Sequence, residues 1–109
     1  MPLAHSQLEA RKLASRAERE LDAGRIAADM ANILEVAPGV TLLRALSQAC
    51  DDAGIGAKTG EIANVLTRAL CVVCNLDDEY PIASCGDWAA RAPVHSIISA
   101  LRDVSRLLG

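Results

Sequence analysis

The sequence has 109 residues, of which 51% are hydrophobic, 23% charged and 2% aromatic, with a formal net charge of −3. That length suits one domain, residues 1–109, and that apolar content excludes a disordered chain, which needs low hydrophobicity and high net charge. There is no Phe, one Trp and one Tyr, against 20 Ala and 14 Leu; the balance favours helix over strand, which prefers β-branched and aromatic side chains.

The punctuation divides the chain into five helical segments. The first runs from about Ser6 to Ala23. Ser6 with Glu9 has the spacing of a capping box. Leu13, Ala17 and Leu21, flanked by Ala10 and Ala14, recur at helical spacing and predict its buried face. Arg16 and Glu20 make an i,i+4 pair on the other side, and Gly24 is the expected stop. The second segment, about Ile26 to Val36, carries the stripe Ile26, Met30, Ile33, Leu34 and ends at Pro38-Gly39, because the residue before a proline avoids the helical region.

The third segment opens at Thr41, a good N-cap. It buries Leu42, Ala45, Leu46, Ala49 and Ala53, and stops at Gly54. The fourth follows Thr59; Ile62, Val65, Leu66, Ala69, Leu70, Val72 and Val73 make it apolar almost all round, the pattern of a central, buried helix. From Asp77 to Ala92 the sequence predicts an irregular connection holding the acidic triplet Asp77-Asp78-Glu79, Tyr80-Pro81, Gly86 and Trp88. The last segment begins near Pro93, a residue favoured in the first helical turn, with the stripe Val94, Ile97, Ile98, Leu101, Val104, Leu108. The expected fold is all-α, a small bundle of four to five helices. A domain this small, with an apolar stripe on every helix and no Phe, completes its core by pairing, and a homodimer is the simplest form.

Charge and composition narrow the partners. Residues 1–50 carry six acids and six bases, residues 51–109 eight acids and five bases. Neither half has the basic excess that nucleic acid or an anionic membrane surface demands, so neither partner is expected. The opening residues hold no apolar run of about 7–15 residues, as a signal peptide requires, and no stretch approaches the roughly 20 apolar residues of a membrane span. The expected compartment is the cytoplasm, where thiols stay reduced, so the four cysteines are not expected to form a disulfide framework.

Chemical constellations are few. Cys71-x2-Cys74, with Cys85 and His95 downstream, has the donor types of a tetrahedral zinc site. Cys71 and Cys74 fall, however, in the apolar run Leu70-Cys71-Val72-Val73-Cys74, where cysteine is an ordinary small hydrophobe. Packing is the expectation, no cofactor is implied, and a small Cys/His metal-binding regulator is the alternative. The third and fourth segments around Gly54-Ile55-Gly56 have the outline of a helix-turn-helix. A recognition helix needs basic and polar residues, and this one offers only Asn64, Thr67 and Arg68, behind Asp51-Asp52. Gly54, Gly56 and Gly60 lack the phosphate-loop spacing. His95 and Ser99 are i,i+4 neighbours without an evident orienting carboxylate or oxyanion hole, so no enzyme is expected. Tyr80 and Trp88, the large aromatics, suit a protein interface, where such residues are enriched.

The block Pro38-Gly39-Val40-Thr41-Leu42-Leu43-Arg44-Ala45-Leu46-Ser47-Gln48-Ala49-Cys50, preceded by Ile33-Leu34-Glu35-Val36, resembles a family of short bacterial proteins of unknown function. Members have a similar Pro-Gly-Val turn and Ala-Leu-x-Gln-Ala helix, and the likeness spans residues 33–76. In size, acidic balance, helical pattern and lack of catalytic groups, the whole chain resembles the quorum-sensing anti-activators. That resemblance implies a helical dimer that binds a LuxR-type transcription factor, a quorum-sensing receptor such as LasR, and blocks its dimerisation and DNA binding. A helical adaptor or immunity-type protein with another protein partner is the further alternative. The interface candidates come from side-chain chemistry alone: Tyr80, Trp88 and, on the last helix, Ile97, Leu101 and Leu108.

Overall fold

The computed structural model describes residues 2–109, with side chains from Arg16 onward. The expected all-α fold is observed: α1 (Pro2–Val36), α2 (Leu42–Asp52), a single 3-10 turn (Gly56–Lys58), α3 (Thr59–Cys74), α4 (Pro81–Arg91) and α5 (Val94–Leu108). No strand occurs among the described residues, and no helix there is long and apolar enough to cross a membrane.

The two helices expected on either side of Gly24 are one. A glycine ends a helix by taking positive φ; among the described glycines only Gly54 does so, at φ 74°. Gly24 instead brings α1 against the end of α5: a Cβ there would sit 3.2 Å from Leu108 Cβ and 3.1 Å from the Gly109 nitrogen. The expected inner face of the first segment is also revised. Ala17 and Leu21 are exposed, and continuous burial begins at Ala23, because α5 stops level with Gly24 and those residues lie beyond its end. Leu13 and the Ser6–Glu9 capping box involve side chains outside the described residues.

α1 is the central helix, packed by α5, α3 and α2. Its Ile26, Met30 and Leu34 meet Leu46 of α2, Ile62, Leu66 and Leu70 of α3, and Leu101 and Val104 of α5 in one core. Each such side chain contributes roughly 1.5–3 kcal/mol on burial. α3, expected to be buried all round, leaves Val72 73% exposed. Among the described residues the one buried polar side chain, Thr67, donates its hydroxyl to the Ala63 carbonyl at 2.6 Å, so it costs nothing in unmet hydrogen bonding. Arg102 of α5 reaches Glu35 (2.5 Å) and Asn32 (3.4 Å) of α1. The pair is substantially exposed and adds about 1 kcal/mol at most.

The punctuation of α2 is as expected. Thr41 Oγ1 accepts from the Arg44 amide at 3.3 Å, and Gly54 follows the helix in the left-handed region. The Asp77–Ala92 connection is irregular only as far as Tyr80, and Pro81–Arg91 is the helix α4. Pro81 occupies the first turn of α4, alanines carry its body, and Ala92 turns extended (φ −76°, ψ 145°) ahead of Pro93. This is the local preference of proline at both ends of a short helix. α4 has only Cys85 fully buried, so it lies on the bundle as an outer element.

Candidate protein-docking groove

Three short-range features open a groove at one end of the bundle. First, Pro38-Gly39 follows the end of α1, and the chain turns there through Ala37 N to Ile33 O (2.8 Å) and Val40 N to Ala37 O (3.1 Å). Second, Gly86, Ala89 and Ala90 stand at i, i+3 and i+4 on α4, neighbouring positions on a helix. Their small side chains leave space. Third, Val94 and Ile97 of α5 form part of the lining, with Leu34 and Leu42 beneath. The cavity holds about 540 Å³, and no ionisable side chain is among the described residues that line it. Leu43 (45% exposed) and Ala90 stand at its edge. That volume falls in the range of known small-molecule sites.

The predicted interface residues are scattered. Tyr80 is 70% exposed ahead of α4, whereas Trp88 is half-buried against the core. Ile97 is buried and Leu101 is fully buried. Both are core residues and Leu101 presents no surface to a partner; the apolar stripe of α5 is what holds α5 to α1. Leu108 is half-buried beside Gly24. The docking groove therefore shares only Ile97 with those candidates. The other groove-lining residues Leu43, Gly86, Ala89 and Ala90 carry one readable signal in the sequence, the small-residue face of α4.

The four proposed metal ligands do not form one site. Cys71 and Cys85 are brought together, Sγ to Sγ 3.8 Å, but each thiol is otherwise turned to a carbonyl, Cys71 to Asp77 O (3.6 Å) and Cys85 to Thr67 O (3.3 Å). Cys74 and His95 line a different shallow groove with Ser99 and Asp103, and Asp103 accepts from Arg106 at 2.7 Å. Among the described residues, no three His, Cys, Asp or Glu side chains converge where a metal could sit. Burial, reinforced by Cys71, pushes the Cys85 thiol up to about 12, and burial also raises Cys50 and Cys74. Cys50, Cys71 and Cys85 are buried in the core, and Cys74 is half-buried against it.

Compared with protein-family models, with curated proteins and with solved structures, the chain matches none.

Proposed function

We propose that this chain is a non-enzymatic regulatory protein that binds a LuxR-type transcription factor and sequesters it, preventing receptor dimerisation and DNA binding. The observation that supports this reading is the uncharged groove between the α1–α2 corner, α4 and the start of α5. A receptor that works as a dimer has an apolar face to bury, and a competitor needs an apolar surface to cover it, with no reacting group. Such a protein acts by mass action: it removes receptor from the active pool in proportion to its own concentration.

The test is reconstitution. Purified protein is mixed with a LuxR-type receptor holding its signal molecule, and complex formation is followed by size-exclusion chromatography with light scattering. DNA binding is followed by mobility shift. A mixed complex, with loss of the receptor–DNA band as the protein is titrated in, is the expected result. A receptor that still binds DNA at a large excess of the protein overturns the reading. If a pull-down from the native cells then returns another protein on the same groove, the adaptor reading replaces it.

A further inference from the structure

A second surface lies away from the docking groove, where α1, α3 and the end of α5 meet. It is a cleft of about 440 Å³ with Val65, Val72 and Leu107 among its lining residues and Arg16, Arg19 and Arg68 around it. Val72 is 73% and Leu107 59% exposed, a large apolar exposure for such small helices. Among the described residues the one carboxylate lining the cleft, Glu20, is paired with Arg16 at 3.5 Å. The described lining is therefore locally positive on a chain whose net charge is −3.

The same chain carries the complementary charge elsewhere. Asp77, Asp78 and Glu79 are all exposed and lead directly into Tyr80 (70% exposed) and Ile82 (43% exposed). The segment is acidic with two apolar side chains outward; the cleft is basic with an apolar lining. It is also held in shape, which lowers the cost of ordering it on binding. The Asp77 carboxylate accepts from the Glu79 amide at 3.1 Å, the Asp77 carbonyl meets the Cys71 thiol, and Pro81 starts α4.

A chain cannot fill its own cleft. Asp77 lies beside Pro93 and Ser96 at the start of α5, whereas the arginines lie beside Leu107 and Leu108 at its end. The helix between Ser96 and Leu107 separates them by roughly 16 Å at 1.5 Å per residue. We propose that the cleft receives the Asp77–Ile82 segment of a second copy of this chain, in a two-fold dimer where each copy gives its segment to the other. Two-fold symmetry makes the contact twice and closes the assembly. The inference is independent of the receptor reading, since it uses neither the docking groove nor a foreign partner.

Charge reversal tests it. One variant combines Arg19→Glu with Arg68→Glu; the other combines Asp77→Lys with Asp78→Lys. Self-association is measured by sedimentation across a concentration series, with circular dichroism confirming helical folding. Wild type is expected to dimerise, with weaker association in about 0.5 M salt, where surface charge pairs are screened within a few ångströms. Each variant alone is expected to associate at least about tenfold more weakly, because its two contacts become like-charged. Mixing the two variants is expected to restore a dimer, since both contacts in the mixed pair are again opposite in charge. Misfolding cannot mimic that restoration. A monomeric wild type, a dimer indifferent to both reversals, or variants that stay apart when mixed each overturn the proposal.

Discussion

Gly24 of α1 and Leu108 of α5 are in direct contact, and the contact sets how closely the two longest-packed helices approach. A Cβ on Gly24 would lie 3.2 Å from Leu108 Cβ, closer than ordinary van der Waals separation. Two terms oppose each other when alanine is placed there. Helix propensity gains about 1 kcal/mol over glycine, and the crowded contact costs a similar amount unless the end of α5 shifts. Gly24→Ala is therefore expected to change stability by less than about 1 kcal/mol. Gly24→Leu has no room for its larger side chain and is expected to lose about 1–3 kcal/mol through overpacking. Urea unfolding of both variants checks this; a tolerated leucine would mean that α5 is not held against α1 at this point.

The same residue marks the limit of what the sequence discloses. Thr41, Pro38-Gly39 and Gly54 punctuate as read, because capping, proline exclusion and positive φ act within a few residues. Gly24 is a packing residue, and that role depends on Leu108, 84 positions further along the chain. α4 escaped notice for the opposite reason. Its apolar side is thin, with only Cys85 fully buried and Trp88, Ala89 and Ala92 partly buried against the core, and it is bounded by Pro81 and Pro93. The groove was illegible because it is a gap between α1, α2, α4 and α5; periodicity identifies faces that pack and says little about where packing leaves space. Ile97 and Leu101 were read correctly as an apolar stripe, but a stripe alone does not say whether a partner or α1 covers it.

Leu101 and Leu43 separate those two uses of an apolar side chain. Leu101 is fully buried among α1, α3 and α5, so Leu101→Ala is expected to cost about 2–5 kcal/mol in unfolding free energy. Leu43 is 45% exposed at the groove, and Leu43→Ala is expected to cost no more than about 1 kcal/mol. Chemical denaturation of the two variants gives the comparison directly, and equal losses would contradict the assignment of α5 to the interior.

The groove predicts a binding defect without a folding defect. Leu43→Asp and Ala90→Asp place a carboxylate at its edge, where solvent still hydrates it in the free protein. An apolar partner would strip that hydration without offering a counter-charge, and such unpaired burial is costly. Both variants are expected to melt within a few degrees of wild type and to lose receptor binding by about tenfold or more. Isothermal titration with the receptor measures the second effect and calorimetric melting the first. Unchanged affinity in both variants would place the interface elsewhere.

Gly86 offers a gain instead of a loss. It sits within α4, and a Cβ built on it meets nothing within 4 Å. Gly86→Ala is expected to stabilise the protein by about 0.5–1 kcal/mol, because alanine restricts the unfolded chain and favours helix without a steric cost. Thermal unfolding checks the sign. A loss would mean that α4 departs from regular helix at this residue.

The buried thiols make stability fall at high pH. Burial raises the Cys85 thiol in the folded protein to about 12, above its ordinary value of 9.0, with Cys71 beside it acting in the same direction. Between those two values the unfolded chain releases a proton that the folded chain retains, so the folded state binds more protons and stability must decrease as pH rises. The contribution is complete below about pH 9 and is lost progressively above it, with a slope approaching about 1.4 kcal/mol per pH unit for one thiol. Cys50 and Cys74 are raised as well and add to the same trend. Urea titrations from neutral pH to pH 11 should show this decline, and Cys85→Ala should make it shallower while lowering stability at neutral pH. A thiol reagent supplies the independent check: at neutral pH the half-buried Cys74 is expected to react first, and Cys50, Cys71 and Cys85 only as the chain unfolds. Rapid modification of Cys85 in the native protein would show that α4 opens readily, and its contact with α3 would then be a weak one.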